Sequence, residues 1–123
     1  MLGSARLVAF AATCDPERSK AFYETVLGLR LVADDPFALV FDAFGTTLRV
    51  QKVQNLPKIE HTVLGWEVPD IRRAVATLRS KGIAFERYSF LEQDADGIWQ
   101  TPAGARIAWF KDPDGNILSL TQI

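Results

Sequence analysis

Few side chains in this sequence can do chemistry, and they are scattered. There is one histidine, His61, and one cysteine, Cys14. A metal centre normally needs three or four converging ligands, so a lone histidine does not make one. His61 and Glu67 lie in one strand-like run. At ~3.3 Å per residue they would stand ~20 Å apart in a regular strand and could not bind the same ion. His61 reads as a partly solvated strand-end residue beside a linker, with a ligand contact or an acid–base role as the alternative. Cys14 sits at the start of a predicted helix, where the free N–H groups lower a thiol pKa. Asp15 beside it works the other way, and no second cysteine can act as a resolving partner, so Cys14 reads as inert. No Ser–His–Asp arrangement, phosphate-cradling glycine loop or zinc-type cysteine pair is present, and Asp112 to Gly115 reads as a turn rather than a calcium loop.

The remaining candidates suit binding better than bond breaking. Arg49 can grip a carboxylate or phosphate with both arms of its guanidinium, or form a salt bridge at the surface or an interface. Glu67 suits a cationic ligand, Arg49 itself, or a structural ion pair. Trp99 lies in a polar stretch, Glu92 to Gly104, where a large aromatic has little reason to be unless it covers something. A flat ligand, a dimer interface and ordinary packing are the candidates. Trp109 and Phe110 are neighbours on opposite faces of a strand, so one is core and the other is free to line a binding surface. Tyr88, Phe90 and Glu92 lead into the polar stretch. Trp66 shares the core side with Leu64 and Val68.

These residues are positioned by a pattern that occurs twice. Leu7 to Ala12 is a short apolar run leading to Asp15-Pro16-Glu17, and Thr62 to Val68 leads to Pro69-Asp70-Ile71. Asp15 and Asp70 are good helix N-caps, because a short carboxylate accepts from free helix N–H groups. Pro16 suits the first helical position, where a missing N–H does no harm. The helices predicted over 17–27 and 71–81 stop at Gly28 and Gly82, residues that take the left-handed C-terminal conformation. Strands are expected at 29–32, 38–41 and 46–53 in the first half, and at 83–88, 105–110 and 116–121 in the second. Residues 54–60 read as a linker and 92–104 as a long loop or lid. Each half is thus β-α-β-β-β, with modules at about 5–53 and 61–122 of one domain spanning 1–123. One helix covers one face of each sheet. The bare faces are expected to pair around a cleft or across a dimer, where small-molecule pockets form.

Composition agrees with an ordinary globular domain. Hydrophobic residues make up 48% and charged residues 24%, which excludes a disordered chain. Fourteen basic residues against fifteen acidic ones give a formal charge of −1, a poor footprint for nucleic acid. The Leu7–Ala12 run is too short for a secretory signal, and no stretch approaches the ~18 apolar residues of a membrane helix. The expectation is a buried first strand in a cytoplasmic protein without a membrane partner.

Asp15-Pro16-Glu17-Arg18-Ser19-Lys20-Ala21-Phe22-Tyr23-Glu24, followed by Val26-Leu27-Gly28-Leu29, resembles the first helix of the vicinal oxygen chelate superfamily. That superfamily includes glyoxalase I, extradiol dioxygenases and the fosfomycin- and bleomycin-resistance proteins. Phe110 to Leu120 is similar to its last hairpin. The resemblance implies an α+β fold in which two βαβββ modules form a curved, cup-like mixed sheet with helices on its outer face, and it implies homodimers. Metal-dependent members hold a divalent cation through a His or Gln on the first strand, a Glu late in the first module, a His on the second module's first strand and a Glu on the last strand. The cation acts as a Lewis acid on adjacent substrate oxygens.

Carried over one at a time, those positions fall on Val8, near Arg49, on Val63 and on Ser119. None is a normal ligand; a register shift of two would bring in His61. Val8 and Val63 would make the concavity apolar, and the same strand parity puts Phe10, Arg49, Gln51, His61, Glu67 and Ser119 there, with Trp99 from the loop. The expectation is a protein of glyoxalase/bleomycin-resistance type that binds or sequesters a small organic molecule without a cofactor. The alternative is a metal-dependent lyase, isomerase or dioxygenase with a non-standard ligand set.

Overall fold

The computed structural model describes all residues, 1–123, and divides into two compact units, Met1–Lys58 and Ile59–Ile123. In the first, β1 (Val8–Thr13) leads to α1 (Pro16–Ala21), and β2 (Arg30–Asp34), β3 (Ala38–Ala43) and β4 (Thr46–Lys52) follow. In the second, β5 (Thr62–Glu67) leads to α2 (Ile71–Ser80), and β6 (Trp99–Gln100), β7 (Arg106–Lys111) and β8 (Ile117–Gln122) follow. The sheets have orders β1-β4-β3-β2 and β5-β8-β7-β6. In each, the first strand pairs in parallel with the last, and the other pairings are antiparallel. The fold is α+β, built from two β-α-β-β-β units.

Both helices start as their sequences dictate. Asp15 and Asp70 accept from the N–H groups of Arg18 and Arg73 at 3.3 and 3.1 Å. The first helix is shorter than expected as a regular α-helix, because Phe22–Val26 widens into a π-helical turn. That turn ends at Gly28 with φ of 76°, and the second helix is followed by Gly82 with φ of 90°. Each helix lays its apolar side on one face of its own sheet. Phe22 and Tyr23 are buried in the first unit with Leu39, Phe41, Leu48 and Val50. Ile71, Val75 and Leu78 are buried in the second with Ala108, Phe110, Leu118 and Leu120. The two aromatic anchors are comparable: Tyr23 meets Phe41 with ring centroids 5.7 Å apart, and Phe85 meets Phe110 at 5.5 Å. Burying a side chain of this size contributes roughly 1.5–3 kcal/mol.

Two expectations need correction. The first strand is only half buried. As an edge strand, β1 buries Ala11 and Thr13 but leaves Val8 42% and Phe10 50% exposed. The strand expected at 83–88 shrinks to one bridge, Phe85 with Phe110, while β6 forms inside the expected loop. The reason is Gln93. Its Oε1 accepts from the Tyr88 N–H at 2.6 Å, and its Nε2 donates to the carbonyls of Glu86 and Gly97 at 3.0 and 2.8 Å. A side chain thus satisfies backbone groups that a strand ladder would otherwise have to pair.

The same segment is pinned to α2 by ion pairs. Arg72 reaches Asp94 at 2.9 Å and Asp96 at 3.0 Å, and Arg79 reaches Asp96 at 2.9 Å. Burial opposes the charge on Asp94. Hydrogen bonds from the N–H groups of Ile98 and Asp96 and from Arg72 outweigh it and hold the carboxyl below its ordinary value of 3.8. A carboxyl depressed in the folded state stabilises the fold fully above its unfolded pKa and loses that contribution as pH falls through the folded value. Urea midpoints are therefore expected to drop between about pH 5 and about pH 3, and Asp94→Asn should flatten part of that drop; equal slopes in both proteins would count against the anchor. At neutral pH, Asp70→Ala should cost about 1 kcal/mol by loss of its cap, read from the same urea curves.

Candidate functional site

In the second unit, α2 covers the sheet face carrying Ala108, Phe110, Leu118 and Leu120, and β-strand alternation sends the neighbouring residues to the other face. Pairing fixes the rows of that open face. Lys111 stands beside Ile117 and Thr62, Trp109 beside Ser119 and Gly65, and Ile107 beside Thr121 and Glu67, with Trp99 next to Ile107. A register slip between Thr62 and Leu64 places Thr62, rather than Val63, in the first of these rows. The Trp109 indole reaches across β8 and donates from Nε1 to Thr62 Oγ1 at 3.2 Å.

An aromatic platform is built on this face. Trp99 stacks on Trp109 with centroids 6.2 Å apart and planes inclined by 29°. Tyr88 meets Trp109 edge-on at 5.5 Å, and Phe90 lies against Tyr88 at 5.6 Å. Phe90 is 80% exposed, and both tryptophans and Tyr88 are only partly covered. Burial, and then the nearby Glu86 carboxylate, push the Tyr88 phenol above its ordinary pKa, with Lys111 opposing. Tyr88 is therefore a neutral hydroxyl at physiological pH. Glu86 itself is paired with Lys111 at 3.4 Å. Planar partly exposed rings in offset contact leave π-faces to which another flat ring can add.

The open face of the first unit is different. Arg49 lies on the central strand β4 between Phe10 on β1 and Val40 on β3. Its side chain is half-buried, and no carboxylate lies within 4 Å of it. Its positive charge is nonetheless felt at Asp35, whose carboxyl is held down first by the N–H groups of Phe37 and Ala38. In the next row Gln51 lies between Ala12 and Ala38, exposed. A guanidinium flanked by apolar neighbours can take a carboxylate or phosphate oxygen pair.

Register thus places Phe10, Arg49 and Gln51 on one face of the first sheet, and Trp99, Ser119 and Glu67 on one face of the second. His61 stands apart. It lies just ahead of β5, exposed, and the slip after Thr62 breaks the alternation that would have aligned it with Glu67. Thr62, Gly65 and Thr121 are the members of the second face that sequence reasoning passed over. Gly65 carried a signal, since a glycine inside an apolar strand marks a bulge or a close approach. A Cβ on residue 65 would stand 2.6 Å from Ser119 Oγ.

The four positions that the resemblance gives to metal ligands do not fit a cation. Val8 and Val63 have no donor atom, Arg49 repels a cation, and Ser119 offers one neutral hydroxyl. Nowhere do three or more His, Cys, Asp or Glu side chains come together to hold an ion.

Comparison with known proteins agrees with this architecture. Three solved structures share the fold, each with a TM-score of 0.72. One is lactoylglutathione lyase from Agrobacterium tumefaciens, 18% identical, covering 97% of this chain and 93% of that one. Another is a glyoxalase/bleomycin resistance protein/dioxygenase superfamily member from Sphaerobacter thermophilus, 25% identical over 95% and 97%. The third is TioX from Micromonospora sp. ML1, 19% identical over 97% and 98%. No curated protein matches in sequence. The family model for the Glyoxalase/Bleomycin resistance protein/Dioxygenase superfamily matches residues 6–120, nearly the whole chain, and with two β-α-β-β-β units in hand the chain belongs to that superfamily.

Proposed function

We propose that this protein is a small-molecule-binding member of the superfamily, of the sequestering or resistance type, that captures flat aromatic compounds without a metal and without covalent chemistry. The observation that carries the reading is the Trp99–Trp109 stack with Tyr88 edge-on to it, partly exposed on a sheet face that its own helix does not cover. In the first unit, Arg49 between Phe10 and Val40 is the contact for an acidic group, with Gln51 beside it as a neutral hydrogen-bonding partner. The valines and the arginine at the family's metal positions support capture over Lewis-acid catalysis. The same reading has the chain acting in the cytoplasm as a homodimer, with no nucleic-acid or membrane partner. Its near-neutral charge and the exposed apolar residues of edge strand β1 support this, and no helix is long and apolar enough to cross a membrane.

The test uses 15N-labelled protein and 2-(2-naphthyl)ethanol. The indole N–H signals of Trp99 and Trp109 should shift, and that of Trp66 should not. Trp66 pairs with Leu120 on the helix-covered face. Trp109→Ala should weaken binding about tenfold, since stacking on an aromatic side chain contributes ~1–3 kcal/mol. A shift confined to Trp66, or none at all, would overturn the reading. So would turnover of the methylglyoxal–glutathione hemithioacetal when Zn²⁺ or Ni²⁺ is added.

A further inference from the structure

The Trp109 row ends in an opening. Across β8 and β5 the row continues through Ser119 to Gly65, and Gly65 is exposed. Ser119 is only 8% exposed, and its hydroxyl has no hydrogen-bond partner in the chain. Its Oγ lies 2.6 Å from where a Cβ of residue 65 would be, so it points into the space that the missing side chain leaves. In the adjoining row Thr121 and Glu67 stand on the same face. Glu67 is exposed and forms no ion pair. The Ser119 hydroxyl is not sealed off from solvent, so in the free protein it meets water that a ligand donor can replace, and a groove floored by bare backbone admits a ligand atom that any side chain would exclude.

Building on the platform reading above, we infer that the Gly65–Ser119–Glu67 notch is a polar subsite that takes the ammonium group of an aryl-alkylamine while its ring stacks on Trp109 and Trp99. Strands are spaced ~4.8 Å apart, so the notch lies about two strand spacings from the backbone of Trp109, and less from its ring, which reaches across β8 towards Thr62. A short alkyl tether spans that gap. The ammonium donates one hydrogen bond to Ser119 Oγ and another to the Glu67 carboxylate, and its charge meets the only carboxylate among the paired residues of this face that is not already in an ion pair. Lys111, the nearest cation on the face, is held by Glu86 at 3.4 Å. Ligand selection then has two parts: the platform reads flatness, and the notch reads a positive charge at a fixed distance from the ring.

Three probes that share one ring separate the two parts: 2-(2-naphthyl)ethylamine, 2-(2-naphthyl)ethanol and 2-naphthylacetate. Dissociation constants come from calorimetry and from the Trp99 and Trp109 indole signals at low ionic strength. The amine should bind at least tenfold more tightly than the alcohol, and the acetate most weakly. Glu67→Gln should cut the amine's advantage to under threefold while leaving alcohol binding unchanged. Ser119→Ala should weaken the amine and the alcohol alike, by about threefold. Gly65→Ala should weaken both by tenfold or more, because the new methyl displaces the Ser119 hydroxyl. If that variant fails to fold, as judged by the spread of its NMR signals, Ser119→Ala and Glu67→Gln decide the matter alone. Equal affinities for all three probes, or an amine preference that survives Glu67→Gln, would overturn the notch and leave the platform standing. If none of the probes moves either indole signal, it is the platform that fails, and the notch falls with it.

Discussion

The Gln93 carboxamide directs all three of its hydrogen bonds at backbone, to the N–H of Tyr88 and the carbonyls of Glu86 and Gly97. Everything proposed for the second sheet depends on this. Without it, residues 86–98 would need a ladder partner or water to satisfy their polar groups. With it, the segment folds back on itself, and Tyr88 and Trp99 both reach Trp109 from the edge of β7 that β8 leaves free. The ion pairs of Arg72 and Arg79 with Asp94 and Asp96 then fix the fold-back to α2. Exposed pairs of this kind are individually weak, and they matter here as a network that limits where the segment can go.

The two units share a plan and differ in what their open faces present. Both start their helices with an aspartate cap, and both set an aromatic ring against a buried phenylalanine of the sheet. The first unit leaves a guanidinium among apolar side chains. The second leaves stacked indoles beside hydroxyls and a carboxylate. The covered faces need only apolar volume, so they stay alike. The open faces are free of that demand and can acquire separate chemistry.

Much of the scaffold was readable because it rests on local rules. Asp15 and Asp70 announce helix starts, Gly28 and Gly82 announce their ends, and alternating apolar residues mark seven of the eight strands. The π-helical turn at Phe22–Val26 was not readable, since the same apolar spacing suits a regular helix. Nor was the loss of the strand at 83–88, where a glutamine several residues away takes the backbone bonds. The site was legible in kind more than in place. Arg49, Glu67, Ser119 and Trp99 stood out as polar or aromatic residues in strands or in an odd loop. One slipped residue in β5 then decided that Thr62, and not Val63, keeps company with Trp109. Such a slip leaves no mark in residue type, because it depends on how β5 lies against β8.

The close approach of Ser119 to the bare backbone of Gly65 also constrains how the protein can evolve. A lineage that acquires a side chain at position 65 must turn the Ser119 hydroxyl out of its place or shrink residue 119, since a Cβ there would stand 2.6 Å from Oγ. A lineage that enlarges residue 119 can do so only while position 65 stays empty. The two sites are therefore coupled, and relatives that carry a side chain at position 65 should also differ at residue 119.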